Sequence, residues 1–389
     1  ACPLSENKAS NGQMTGFWQI TWLIPPGLLL GALAASAFVS ALLSLLVIKG
    51  GPVDLPRERG AHSTPTPTSG GLAIMASSGL IIGLVICFYG AAIPGSWRDG
   101  LILFGFASLM GISGAIDDVV DLPAMWRLGF QISLCLIFAW FYRVTVLDFG
   151  PGLIVTVHPF IGLLGSAAWL ILTLNTINFM DGSNGLAVGA QTIAMLVFAG
   201  LILLMAPLRL FGAGLGVVLL ICVCVAGAHL GFAPFNLPPG NPQKAKAFQG
   251  DAGSMFAGAL IGGATLIVKA YGVGSVWFGG FLLAPLLVDV VLTLIVRARK
   301  HANVFTPHKE HLYQIWLQRR DGSHWRLALR IWGPCLLSSL VGVGARFVDR
   351  IYHTDIRFFV LVALIIAYTI GWMILRQRLL KRPLLSARP

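Results

Sequence analysis

The chain has 389 residues, of which 56% are hydrophobic and 11% charged, with 46 glycines and a net charge of +12. Soluble domains carry about 25% charged residues, so a large soluble domain is excluded and a multi-pass membrane protein is required. The basic residues are scattered over many loops, which excludes a nucleic-acid footprint and leaves an orientation signal, with attraction to anionic lipid or phosphate groups adding to it.

A bilayer core takes about 20 apolar residues per helix. Runs of that kind are predicted at 21–48, 71–89, 100–116, 128–147, 161–179, 186–206, 212–232, 254–270, 276–296, 330–347 and 357–375, eleven in all. The first contains Pro25 and Pro26; it is too long for a cleaved leader and lacks a basic n-region. Residues 1–20 are expected to form an extracytoplasmic N-terminal segment, and 1–13 read as an added stretch or a displaced start, because the chain opens on Ala1 rather than Met.

Eleven spans put the two ends on opposite faces, and Lys and Arg decide which is which. The joints at 49–70, 117–127, 180–185, 233–253 and 297–330, with the tail after 375, hold 19 of the 27 basic residues and are therefore cytoplasmic. The expected fold is all-α: a polytopic membrane protein with a single transmembrane domain, 21–375, a basic cytoplasmic tail, 376–389, and a cytoplasmic-face active site. No internal repeat or low-complexity tract is visible, and the six cysteines lack zinc-ligand spacing.

A carboxylate at mid-membrane costs roughly 2.5–3.5 kcal/mol, less near the interface. Acids nevertheless stand where several apolar runs break off, all on the cytoplasmic side. The first loop carries Arg57, Arg59 and His62 among prolines, then Gly70 and Gly71 at a helix start, where backbone N–H groups could approach an anion. After the third span come Asp117, Asp118 and Asp121; carboxylates at a helix C-terminus oppose its dipole and repel one another, which points to a bound cation or an oriented nucleophile rather than a bare helix end. The fifth span closes on Asn175 and Asn178, three apart on one helix face, then Asp181, Gly182, Asn184 and Gly185. Amides of this kind ligate Mg²⁺ or read a base or sugar edge, against a plain interhelical hydrogen bond. Asn236 and Phe248 precede Asp251, which opens the eighth span beside small residues. The largest basic loop holds His308, Glu310 and His311, the two histidines sharing a face if that stretch is helical; either can bind phosphate, move a proton or ligate a metal. Asp289, deep in the ninth span, is an intramembrane acid with no partner evident in the sequence.

In this order, these segments resemble the polyprenyl-phosphate N-acetylhexosamine-1-phosphate transferase family (glycosyltransferase family 4) over roughly residues 50–330. The resemblance rests on Asp117-Asp118, on Asn-x-x-Asn-Phe-Met-Asp-Gly-x-Asn-Gly at 175–185, on Phe-x-Gly-Asp-x-Gly-Ser at 248–254 and on His-x-x-His-x-Tyr-Gln at 308–314. The first loop, with His62, Pro65 and Pro67, is more similar to the O-antigen-initiating branch of lipopolysaccharide synthesis, which takes UDP-N-acetyl deoxy-amino sugars. Two positions depart from the family: Asn184 stands where many relatives carry a second Asp, and Glu310 where one branch carries a third histidine.

The resemblance implies transfer of a sugar-1-phosphate from a UDP-sugar to undecaprenyl phosphate with release of UMP. It implies Mg²⁺, with Mn²⁺ the alternative ion, on Asp251 and Asn178, with Asp118 holding the metal or its partner. Asp117 would orient or deprotonate the lipid phosphate, or act as a covalent nucleophile. His308, His311, Arg57, Arg59 and His62 would hold phosphate groups, and Asn175, Asp181, Asn184, Asn236 and Phe248 would contact the substrate nucleotide or sugar. A homodimer is allowed for. The competing class is an ion-coupled secondary transporter, which calls for polar residues at the bilayer middle and a fold repeated in two halves.

Overall fold

The computed structural model describes residues 24–51, 53–54, 66–90, 96–120, 122–239, 244–303, 306 and 308–385. Its helices are α1 (Pro26–Gly50), α2 (Gly70–Tyr89), α3 (Arg98–Val120), α4 (Ala124–Tyr142), α5 (Pro159–Phe179), α6 (Leu186–Met205), α7 (Gly216–Asn236), α8 (Gly250–Ala270), α9 (Phe278–Arg299), α10 (Leu312–Arg319), α11 (His324–Tyr352) and α12 (Arg357–Leu380). All but α10 are long and apolar enough to cross a membrane, which makes eleven spans among the described residues.

Proline and glycine set several ends. Pro26 opens α1, and Pro159 opens α5 while His158 Nδ1 accepts the Phe160 N–H at 3.2 Å. Gly185, at φ 75°, turns the chain from α5 into α6. Helix α3 runs to Val120 rather than stopping at 116, so Asp117 and Asp118 lie in its last turn.

Helices α7 and α8 are buried almost along their whole length, whereas α1, α4 and α12 expose apolar side chains such as Phe38, Ile137 and Ile366 to the surroundings. Between helices in lipid there is no hydrophobic drive, so close contact depends on small residues and polar links. A Cβ on Gly227 or Gly231 would come within 2.2 or 2.0 Å of the α1 carbonyls of Leu33 and Ala37, and Ser36 Oγ donates to Cys224 O at 2.6 Å. Helix α8 is enclosed chiefly by α3 and α5, and its first turn carries Asp251.

Two strand pairs and one short helix were not predicted. Helix α4 ends at Tyr142, and β3 (Val146–Gly150) pairs antiparallel with β4 (Leu153–Thr156), as β1 (Val53–Asp54) does with β2 (Thr66–Pro67). The hairpin carries exposed apolar side chains at Leu153, Ile154 and Val155, and so reads as apolar sequence; Lys269 Nζ pairs with Asp148 at 2.6 Å, and Trp277 Nε1 donates to Asp148 O at 2.5 Å. Helix α10 is eight residues long and buries Tyr313, Ile315 and Trp316 on one side, too short a pattern to stand out in a basic loop.

Candidate active site

Asp117 and Asp118 diverge. Asp117 Oδ1 accepts the Leu122 N–H at 3.0 Å, and Oδ2 is ion-paired with Arg127 Nη1. Pro123, which caps α4, turns the chain so that the first turn of α4 brings Arg127 back over the last turn of α3. Arg127 Nη1 is also 3.7 Å from Asp251 Oδ2, so one guanidinium lies between two carboxylates remote in sequence. Asp118 Oδ1 instead accepts the Asp251 N–H at 3.2 Å, placing a carboxylate at the positive end of α8. Gly250 sits at φ +66°, and a Cβ there would meet Asp118 Oδ2 at 2.4 Å and Thr68 O at 2.5 Å.

From α5, Asn178 Nδ2 donates to Asp251 Oδ1 at 2.8 Å and to Ser254 Oγ at 3.0 Å. Its amide nitrogen thus orients the carboxylate expected to carry a metal. Asp181, in the turn after α5, is pushed well above the usual carboxylate range by burial, and the charges of Asp251 and Asp118 push the same way. The amide of the fully buried Gln249 faces Asp181 and offsets part of that rise, from beyond ordinary hydrogen-bond length.

The frame around these side chains is backbone on backbone. Phe248 N–H donates to Pro67 O at 2.7 Å, Gly70 N–H to Phe248 O at 3.0 Å and Gly71 N–H to Gln249 O at 2.8 Å. The amides expected to meet an anion are therefore engaged by carbonyls of the stretch ahead of α8. Glycine is required there for approach: a Cβ on Gly71 would lie 2.0 Å from Gly253 N, and one on Gly114 of α3 would lie 2.4 Å from Asp251 O.

The remaining asparagines make their hydrogen bonds to other partners. Asn236 is buried, its Oδ1 accepting the Gly185 N–H at 2.6 Å and its Nδ2 donating to Ala247 O at 3.1 Å, so both ends of the amide staple two loops together. Asn175 lies a turn deeper than Asn178 and donates to Ile171 O at 2.9 Å and Gln131 Oε1 at 3.4 Å, which makes it a link between α5 and α4. Asn184 is buried, and its N–H donates to His324 Nδ1 at 3.2 Å. Phe248 is half-buried beside Gln249. Arg57, Arg59 and His62 lie outside the described residues.

The two histidines do not share a helix face. His308 is in irregular chain and His311 immediately precedes α10, their rings 4.9 Å apart. Tyr313 Oη donates to Phe179 O at 3.0 Å and a Cβ on Gly182 would meet that hydroxyl at 2.1 Å, so the histidine stretch packs on the turn that carries Asp181. Burial holds both imidazoles down to about 4, with the mutual repulsion of the pair and the Arg297 charge lowering His308 further and Arg297 lowering His311. Each is therefore neutral at neutral pH and carries a single ring N–H. Glu310, between them, is ion-paired with Arg297.

Asp117 and Asp251 thus share one cation, Arg127, with the Asp118 carboxylate bonded to the start of the same helix as Asp251, so three carboxylates gather with one guanidinium. Among the described residues no three His, Cys, Asp or Glu side chains complete a metal site by themselves. Hard carboxylate oxygens with residual negative charge do fit Mg²⁺, which keeps waters and takes further oxygens from substrate phosphates. Sequence reasoning missed Arg127 and Gln249. The first was visible as the single basic residue of the joint 117–127, but nothing in the sequence tied it to Asp251.

Residues 100–269 match the family described as Glycosyl transferase family 4. The chain is 32% identical over 344 residues to the decaprenyl-phosphate N-acetylglucosaminephosphotransferase of Mycobacterium tuberculosis (strain ATCC 25618 / H37Rv), covering 79% of this chain and 78% of the relative. It is 26% identical to the phospho-N-acetylmuramoyl-pentapeptide-transferase of Geobacillus thermodenitrificans (strain NG80-2), over 82% of this chain and 98% of the relative. It is 27% identical to the probable undecaprenyl-phosphate N-acetylglucosaminyl 1-phosphate transferase of Bacillus subtilis (strain 168), over 71% of this chain and 75% of the relative.

Proposed function

The chain belongs to glycosyl transferase family 4, the polyprenyl-phosphate N-acetylhexosamine-1-phosphate transferases, and from that premise we propose that it moves the sugar-1-phosphate of a UDP-N-acetyl amino sugar onto undecaprenyl phosphate, releasing UMP. The observation that carries the reading is the convergence of Asp117 and Asp251 on Arg127, with Asp118 bonded to the start of the same helix as Asp251. Relatives named as transferases give the transporter alternative no support.

In the reaction, an oxygen of the lipid phosphate attacks the sugar-bearing phosphorus, and the bond to the bridging oxygen breaks so that UMP leaves with that oxygen. Two anions must meet, so charge is the obstacle. A bound Mg²⁺ would supply charge neutralisation at the diphosphate and polarise the attacked phosphorus. Asp251 and Asp118 would hold it, with Asn178 keeping Asp251 in register. Both oxygens of Asp117 are engaged by Leu122 and Arg127, which favours a role in orienting the lipid phosphate through Arg127 over attack as a covalent nucleophile. His308 and His311 would donate to phosphate oxygens, and Asp181 with Phe248 would meet the nucleotide side.

The finer reading, an O-antigen-initiating enzyme of the inner membrane with its site on the cytoplasmic face, is supported by the Lys and Arg asymmetry of the loops and by the first-loop residues His62, Pro65 and Pro67. Its test is a panel of UDP-N-acetylated sugars, deoxy-amino sugars included, given to the protein in detergent with undecaprenyl phosphate and Mg²⁺. Release of UMP with one sugar and formation of the matching lipid-linked sugar is expected; no release with any of them overturns the proposal.

A further inference from the structure

Asp289 is a buried acid with no part in the chemistry above. It belongs to α9, a spanning helix, where a carboxylate persists only if its cost is met by partners. Its partners are four donors from three elements. Oδ1 accepts the Leu312 N–H at 2.8 Å, Trp372 Nε1 of α12 at 2.9 Å and Thr293 Oγ1 at 3.2 Å; Oδ2 faces the Tyr313 N–H at 3.4 Å. Two of these are first-turn amides of α10, donors that a short helix leaves unsatisfied.

Further along α9, the buried Arg297 grips the other end of the same stretch. Its guanidinium pairs with Glu310, and Nη2 donates to Asn303 O at 2.6 Å and Thr306 Oγ1 at 3.2 Å. His308 and His311 lie between the segments that Asp289 and Arg297 hold, and Glu310 stands between the two histidines.

We infer that Asp289 and Arg297 are positioning residues: one helix carries a two-point clamp that presets His308 and His311 over the turn bearing Asp181. The inference rests on the phosphate-binding role proposed for those histidines. A purely structural contact would be met more cheaply by apolar packing, because buried charges gain little over well-packed hydrophobic replacements. What the carboxylate and guanidinium add is direction: Asp289 fixes two N–H groups at the start of α10, and Arg297 fixes oxygen atoms of Asn303, Thr306 and Glu310.

The test uses the full chain in detergent, with Asp289→Asn and the milder Glu310→Gln, which keeps the test open if the first fails to fold. Turnover and KM are read with UDP-N-acetylglucosamine as the probe donor, and diethylpyrocarbonate labelling of His308 and His311 is read by mass spectrometry. His311 is 3% exposed, so its wild-type labelling is expected to be slow. Both variants are expected to label His311 at least about tenfold faster and to lose about tenfold to a hundredfold in kcat, the size of one lost charge-assisted hydrogen bond, with KM within about threefold. Unchanged labelling and unchanged kcat in both refute the clamp. His311→Ala separates the two ideas. Full transfer by that variant removes the histidine from the proposed mechanism and the clamp's catalytic purpose with it, whereas its loss of transfer beside normal Asp289→Asn and Glu310→Gln refutes the clamp alone.

Discussion

Replacing Arg127 by glutamine keeps most of the side-chain length and removes the charge that Asp117 and Asp251 share. For the longer contact, 3.7 Å, Coulomb's law at an effective dielectric of about 20 gives a gross attraction of about 4 kcal/mol. The Arg127 side chain is 37% exposed, so water screens much of this, and a net stability loss of about 1–2 kcal/mol is the reasonable expectation. The effect on transfer should be larger. Two carboxylates are left facing each other where anionic phosphates must enter, and loss of one such donor typically costs about 10²-fold in kcat. Divalent-ion affinity is expected to move the opposite way: Mn²⁺ titrated by electron paramagnetic resonance, without substrate, should bind Arg127→Gln more tightly than the wild type. A variant with kcat within about threefold of wild type and unaltered Mn²⁺ binding would show that Arg127 is a bystander.

Asp117→Asn, Asp118→Asn and Asp251→Asn are each expected to abolish transfer at normal protein levels in membranes; near-normal turnover in any one takes that residue out of the chemistry. Gly71→Ala drives a Cβ into backbone atoms at 2.0 and 2.4 Å, which cannot yield as a flexible side chain would, so a loss of about 3 kcal/mol is expected as a lower Tm. Gly165→Ala meets nothing within 4 Å and should leave Tm unchanged or slightly raised; equal Tm values for the two would refute the packing argument. Burial holds His311 down to about 4 from 6.5, so the unfolded chain takes up the proton first as pH falls. That contribution to stability is whole above pH 6.5 and drains toward pH 4, worth up to roughly 3 kcal/mol at about 1.36 kcal/mol per pH unit. The Tm of His311→Gln should therefore fall less than that of the wild type between about pH 7 and about pH 5, and parallel curves would count against it.

The eleven spans were legible because a run of about 20 apolar residues has few other readings, and their order already brought Asp117, Asp118, Asn178, Asp181 and Asp251 to one side. What pattern could not supply is which polar atoms meet. Arg127 reaches Asp117 around Pro123, and it reaches Asp251 only because α3 and α8 pack side by side. Gly70 and Gly71 looked like an anion cradle, yet their N–H groups are taken by carbonyls of Phe248 and Gln249, far away in sequence. Asn236 carried a plausible substrate role by composition, whereas its two hydrogen bonds tie Gly185 to Ala247. Asp289 had no visible partner because its partners come from a short amphipathic helix and from Trp372. In each case hydropathy reports burial, and the choice of partner belongs to the packed helices.

The enclosure of α8 has a consequence for how the bilayer acts on this protein. The helix that bears Asp251 touches almost nothing but other helices, so a change in acyl-chain length presses first on α1 and α12 at the rim. Thinner or thicker membranes should tilt those outer helices while leaving the carboxylate geometry nearly untouched, and turnover should vary little across phosphatidylcholine vesicles of graded chain length.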